Sequence, residues 1–286
     1  MQQLRTVFFL GLLTGLFLLI GGVVGGASGI IGAFVFAVVI NFISYFYSDK
    51  IVKWMYRAQP LSPHSEQGKR VHHLVQQSCT KMQLPKPELF IIAENSPNAF
   101  ATGRDPEHAS VVFTQGILQL LNDKELEGVI AHELSHVKNR DILISSIAAT
   151  VAGAIGMIAY TLQFAAFSGR DGENRNPIGL LIVAISVPII ATLIQLAVSR
   201  SREFLADETA AHTLHSGEGL ASALQKLEKG IHHIPFAHAN QGTAHLFIAN
   251  PLGGESEGIN VLNWFQTHPP ISERVRRLLH QKSAQH

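Results

Sequence analysis

No charged residue occurs between Thr6 and Ser48. At 1.5 Å per residue, a helix of that length is about twice the roughly 30 Å of hydrocarbon in a bilayer. The stretch can supply two membrane passes. Glycines at 21, 22, 25, 26 and 29 mark where it reverses, because glycine permits tight turns and close helix contact in lipid. Two further uncharged stretches, Ile142 to Gly169 and Asn176 to Ser199, are each long enough for one pass. Four spans is the predicted count. Arg5 followed by an apolar run and small residues near Ala27 resembles a signal peptide, but a second apolar run, Ile30 to Phe46, follows at once, so the segment reads as a retained anchor.

The flanking charges orient the spans. Arg5 precedes the first, Lys50, Lys53 and Arg57 follow the second, Lys138 and Arg140 precede the third, and Arg200 and Arg202 follow the fourth. The first connecting loop has no charge, and the other balances two arginines against Asp171 and Glu173. The positive-inside rule puts both termini and the intervening segment in the cytoplasm. Four parts result: a hairpin at 1–48, a soluble segment at 49–141, a second hairpin at 142–198 and a soluble segment at 199–286. A net charge of +1 with no basic stripe argues against a nucleic-acid partner. One cysteine, Cys79, excludes an internal disulfide and suits a reducing compartment.

Within the first soluble segment, Val71, Leu74, Val75, Cys79 and Met82 recur at helical spacing, and Pro85 and Pro87 close that helix. Glu88 to Ala93 and Ala109 to Phe113 read as strands. Asn122 with Glu125 three residues on predicts a capped helix from about Asp123 to Asn139. In the second segment, Ser199 to Leu214 and Leu220 to Glu228 read as helices. Another opens at Pro269-Pro270, with Ile271, Val275 and Leu278 on one face.

The predicted helix at 123–139 carries His132-Glu133-Leu134-Ser135-His136. Four residues apart, the two imidazoles project from one face and can take two corners of a zinc tetrahedron. Glu133 lies one position round, near enough to act on a zinc-activated water without ligating the metal. With 15 histidines present, such a motif arises by chance in roughly 4% of shuffled chains. The neighbours decide the matter: Val129, Ile130, Ala131, Leu134 and Val137 describe a buried helix, where two histidines and a glutamate need partners.

A third ligand has to come from elsewhere, since position 139 is Asn and position 142 is Ile. Glu203 and Asp207 share a helical face, so Glu203 could ligate while Asp207 accepts a hydrogen bond from a ligating imidazole. An ordinary exposed, salt-bridged helix would carry the same residues. Topology favours ligation. His136 lies six residues before the third span and Glu203 four after Ser199, where the fourth ends, so both fall within about 10 Å of one membrane face. The histidines between His232 and His245, or His268, are the alternatives.

At these motifs, and at Asn98-Ala99-Phe100-Ala101-Thr102-Gly103 and Thr267-His268-Pro269-Pro270, the chain resembles the HtpX-type membrane zinc proteases. It is more distantly similar to zinc-dependent CaaX prenyl proteases. The resemblance implies a zincin-like α+β domain of the gluzincin type, mostly helical, on four transmembrane helices. It implies one Zn2+ per chain, held by His132, His136 and Glu203, with Glu133 as general base and Asp207 behind the ligands. It further implies a bacterial inner-membrane endopeptidase, facing the cytoplasm and linked to stress response, that acts on unfolded or damaged membrane proteins. Residues matching Asn98 and Ala99 would lie on an edge strand that pairs with substrate, and His268 near the zinc would contact the oxyanion or substrate. The bland readings are a plain turn after Pro97 and a helix start before Pro269. A zinc-binding scaffold without activity is the rival, against which the intact Glu133 speaks. A small-solute transporter is disfavoured because the spans hold no ionisable residue. Oligomeric state is left open by the sequence.

Overall fold

The computed structural model describes residues 2–148, 150–151, 200–233, 248 and 269–280. Helical backbone in α1 runs from Gln2 to Met55. In a straight helix Leu10 and Asn41 would stand roughly 46 Å apart. Instead, Asn41 Nδ2 donates to Thr14 Oγ1 at 2.9 Å and to the Leu10 carbonyl at 3.4 Å, and Phe17 meets Phe36 edge-on at 5.1 Å. The chain doubles back at Gly26, whose φ of 57° lies in the left-handed region open to glycine.

The second arm, Gly26–Met55, is long and apolar enough to cross a membrane by length and composition. Its outer surface carries Phe34, Val35, Val38, Val39 and Phe42, all exposed. A continuous apolar face of that kind is a liability in water and ordinary in lipid. Among the described residues this is the one helix that meets the length and hydropathy requirement for a span. The predicted passes at 142–169 and 176–199 lie outside the described residues, apart from helical backbone at 142–148 and 150–151. There Leu143, Ile144, Ile147, Ala148 and Val151 pack against Leu13 of α1.

Four strands form one sheet in the order β1-β2-β4-β3: β1 Gln59–Pro60, β2 Glu88–Ile92, β3 Ala99–Gly103 and β4 Ala109–Thr114. β2 and β4 run parallel, while β1 and β3 are antiparallel additions at the two edges. All five residues of β3 are buried, so it shows no inside–outside alternation. One face meets the end of α1 through Phe100, Val112, Val52 and Tyr56; the other contributes Ala99, Ala101, Val111 and Phe113 to the main core.

The remaining elements are helical: α2 Glu66–Met82, a 3-10 turn at Pro106–His108, α3 Gln115–Leu120, α4 Asp123–Lys138, α5 Arg200–Leu214, α6 Glu218–His233 and α7 Ile271–His280. α2 begins with Ser65 accepting from the Gly68 N–H and ends at Gln83 in the left-handed conformation. α4 starts in the reciprocal capping box read from the sequence: Asn122 takes the Glu125 N–H at 3.0 Å and Glu125 takes the Asn122 N–H at 2.9 Å. Such a cap contributes about 1 kcal/mol. Val129, Ile130, Ala131, Leu134 and Val137 are buried against α2, α5, α6 and β3, which makes α4 the centre of the unit built around the sheet. Gly128 lets α6 approach: a Cβ there would come within 2.6 Å of the Leu220 nitrogen.

Candidate metal centre

Every residue of α4 from Gly128 to Ser135 is buried, so His132 and Glu133 face something other than water. His132 and His136 stand one turn apart with Nε2 atoms 3.3 Å from each other. Glu203, in the first turn of α5, brings Oε1 to 3.5 Å from His136 Nε2 and Oε2 to 3.8 Å from His132 Nε2. One donor atom from each of the three lies within 4.8 Å of the others.

Around these three is a ring of charge. Asp207, one turn after Glu203, holds Oδ1 at 3.0 Å from His132 Nδ1. Arg274 of α7, wholly buried, clamps Asp207 through Nε at 2.8 Å and Nη2 at 2.7 Å. Its Nη1 also donates to the Ile248 carbonyl at 3.2 Å and lies 3.7 Å from Glu203. On the other side Asp141 faces His136 Nδ1 at 3.5 Å, and Arg202 lies 3.5 Å from Asp141. When Nδ1–H of each neutral imidazole donates to its aspartate, both Nε2 lone pairs point at the shared space beside Glu203.

The donor set fits a divalent cation. Two imidazole nitrogens and a carboxylate are borderline-soft and hard donors of the kind zinc takes in catalytic sites, leaving a fourth position for water. Charge agrees: among the described residues, the buried carboxylates Glu133, Glu203, Asp207 and Asp141 gather around two guanidinium groups, Arg202 and Arg274. With neutral imidazoles that leaves two negative charges to be balanced. Without metal, protons do so. Burial, with the Glu203 carboxylate nearby, pushes Glu133 up to about 8. Burial opposes charge on His136 too, yet hydrogen bonding to Asp141 and the carboxylates of Glu203 and Glu133 push it up to about 9. Burial dominates at His132 and lowers its value. Asp207 falls to about 2 because Arg274 and His132 outweigh its own burial.

Glu133 does not reach the shared donor space; its Oε2 accepts the Ala101 N–H of β3 at 2.9 Å. That fastens it between the histidine pair and the edge strand. Asn98 immediately precedes β3, and its buried Oδ1 accepts from Ala99 N and Ile248 N, both at 3.1 Å. Gly103 N donates to Ser146 Oγ at 3.3 Å. The outward amides of Ala99, Ala101 and Gly103 are thus all taken by side chains. His268 lies outside the described residues. Asp105, Glu107 and His108 form a second acidic group at the surface, where Asp105 already caps the 3-10 turn.

Arg274, Asp141 and Arg202 escape the sequence reading as site residues. Arg274 carries a usable signal: with Ile271, Val275 and Leu278 it completes the i, i+3, i+4, i+7 stripe of α7, a position where an arginine must find a buried partner. Asp141 and Arg202 give no comparable local sign, being charges at the ends of an apolar run.

Two histidines and a glutamate on one helix, with a glutamate brought beside them from another, form a group able to hold a metal ion, and the relatives place the chain in the class of proteases. A model of Peptidase family M48 matches residues 65–282. The chain belongs to that family. Relatives named Protease HtpX homolog include one from Syntrophobacter fumaroxidans, 49% identical over 97% of this chain and 98% of its own length. Another, from Sulfurihydrogenibium sp., is 50% identical over 97% and 95% respectively. A third, from Pyrococcus furiosus, is 46% identical over 96% and 94%. Among solved structures, S. mikatae Ste24p aligns over 97% of this chain and 65% of that one, with a TM-score of 0.48 and 18% identity.

Proposed function

We propose that this chain is a membrane-embedded zinc endopeptidase with four spans and a zincin-like active site facing the cytoplasm, acting in quality control on unfolded or damaged membrane proteins. The observation that carries this is the convergence of His132, His136 and Glu203 within 4.8 Å, with Glu133 fastened to the adjoining edge strand. When bound there, zinc supplies a Lewis acid for a carbonyl and for water, and the positive charge that returns Glu133 to its carboxylate form.

The residues do the rest. His132, His136 and Glu203 hold the metal, and Asp207 fixes the tautomer of His132 while Arg274 fixes Asp207. Glu133 takes a proton from the attacking water and passes it to the leaving amine. An extended substrate segment lies along β3 at the sheet edge, beginning at Asn98 and Ala99, and displaces the side chains that now occupy those amides. His268 is assigned the oxyanion or substrate contact on its sequence context. The exposed apolar arm of α1 and the arginines and lysines flanking each uncharged stretch support the membrane and cytoplasmic assignments.

Glu133→Gln is the test. It is expected to retain one zinc per chain while cleavage of a casein-like unfolded substrate is abolished. Near-wild-type cleavage by this variant would remove Glu133 from the chemistry, and a wild-type chain that binds zinc without cleaving anything would favour the scaffold reading.

A further inference from the structure

Both imidazoles turn Nδ1 toward an aspartate, and the second of these, Asp141, occupies an unusual place. It follows the end of α4 and precedes the helical backbone that begins at 142. Its carbonyl oxygen takes the Ser145 N–H at 3.3 Å, which makes it the N-cap of that helix. An aspartate there ordinarily turns its side chain onto the N–H two or three residues ahead. Here Oδ2 faces His136 Nδ1 at 3.5 Å, and Oδ1 is buried with no hydrogen-bond partner, 3.5 Å from Arg202 Nη1. The carboxylate is turned from its own helix to the histidine.

Arg202 immediately precedes Glu203 on α5, so the docking of one helix delivers both a candidate ligand and the charge that holds Asp141. The arrangement repeats what stands at His132, where Asp207 lies 3.0 Å from Nδ1 and Arg274 grips Asp207. We infer that Asp141 is a positioning residue for His136 in metal binding, held in place by Arg202. This rests on the metal-centre reading above. It means that each histidine has its own aspartate and its own arginine, and that the start of the helix at 142 is tied to the geometry of the site.

The rival reading is that Asp141 merely starts that helix, and serine separates the two because it caps well but carries no carboxylate. Zinc affinity of the full chain in mild detergent is measured by competition with a chromogenic chelator, alongside the visible absorption of the cobalt-substituted protein. Asp141→Ser and Asp141→Ala are both expected to bind zinc about 10–100-fold more weakly and to shift the cobalt band. Arg202→Ala moves affinity in the same direction, and Arg202→Lys recovers part of the loss. Wild-type affinity and an unmoved cobalt band in Asp141→Ser would overturn the inference. A wild-type chain without tight zinc would instead overturn the metal centre on which it rests.

Discussion

The second arm of α1 and the α4 helix are both rich in apolar residues, but they distribute them in opposite senses. α1 sends Phe34, Val35, Val38 and Phe42 outward and keeps Asn41, Ser44 and Ser48 against its neighbours. α4 buries Val129, Ile130 and Leu134 in the core, and two of its buried polar residues, His132 and Glu133, face other polar groups rather than water. In the membrane placement proposed above, the difference lies in the solvent each helix meets. Lipid gives an outward-facing phenylalanine no penalty, and helices within it associate through small and polar contacts. In the unit built around α4 the hydrophobic effect drives the apolar face inward, and a polar group is kept inside only with partners.

Substitutions in the two helices should therefore behave oppositely. Leu134→Ala removes a fully buried side chain from α4 and is expected to lower stability by about 2–5 kcal/mol, read by denaturant or thermal unfolding in detergent. A loss below the range of a surface substitution would mean that the soluble core is built elsewhere. Val38→Lys, on the outward face of α1, is expected to hinder membrane insertion by about 2.5–3.5 kcal/mol, read by the fraction of chain resisting carbonate extraction. Were α1 exposed to water, the same lysine would cost nothing.

A further effect comes from protons at the candidate metal centre. Glu133, with an ordinary value of 4.5, is raised to about 8 in the folded chain, and His136, ordinarily 6.5, is raised to about 9. In both cases the folded state binds more protons than the unfolded state, so metal-free stability falls as pH rises through those windows. The metal-free chain should melt at a lower temperature at pH 9 than at pH 6. Zinc affinity should run the other way and rise over that range, because a cation takes the place of those protons. Zinc affinity independent of pH between 6 and 9 would separate Glu133 and His136 from the metal.

What was readable in the sequence follows from how local each signal is. The α4 motif and its capping box need only spacings of three and four residues, and α2 from Glu66 to Met82 needs only its apolar period and the prolines beyond it. Glu203 required an argument about where two chain segments meet at a membrane face. β3 has no alternation to read, since α1 covers one of its faces and the core the other. Arg274 is 67 residues from Asp207, and nothing local names its partner, although its place on the apolar stripe of α7 shows that it needs one. The aspartate–arginine pair beside His136 depends on α5 docking against the end of α4, which no single stretch of sequence encodes.

In the function proposed above, the two histidines of α4 and one glutamate of α5 bind a single divalent cation. Zinc per chain, measured on purified Glu203→Ala beside Glu208→Ala, tests it most directly, because Glu203 is buried in the site and Glu208 is exposed on the same helix. Glu208→Ala should keep one zinc and full cleavage, and Glu203→Ala should lose both. If Glu203→Ala retained one tightly bound zinc per chain, the third ligand would lie elsewhere, with His268 and the histidines between His232 and His245 as the next candidates.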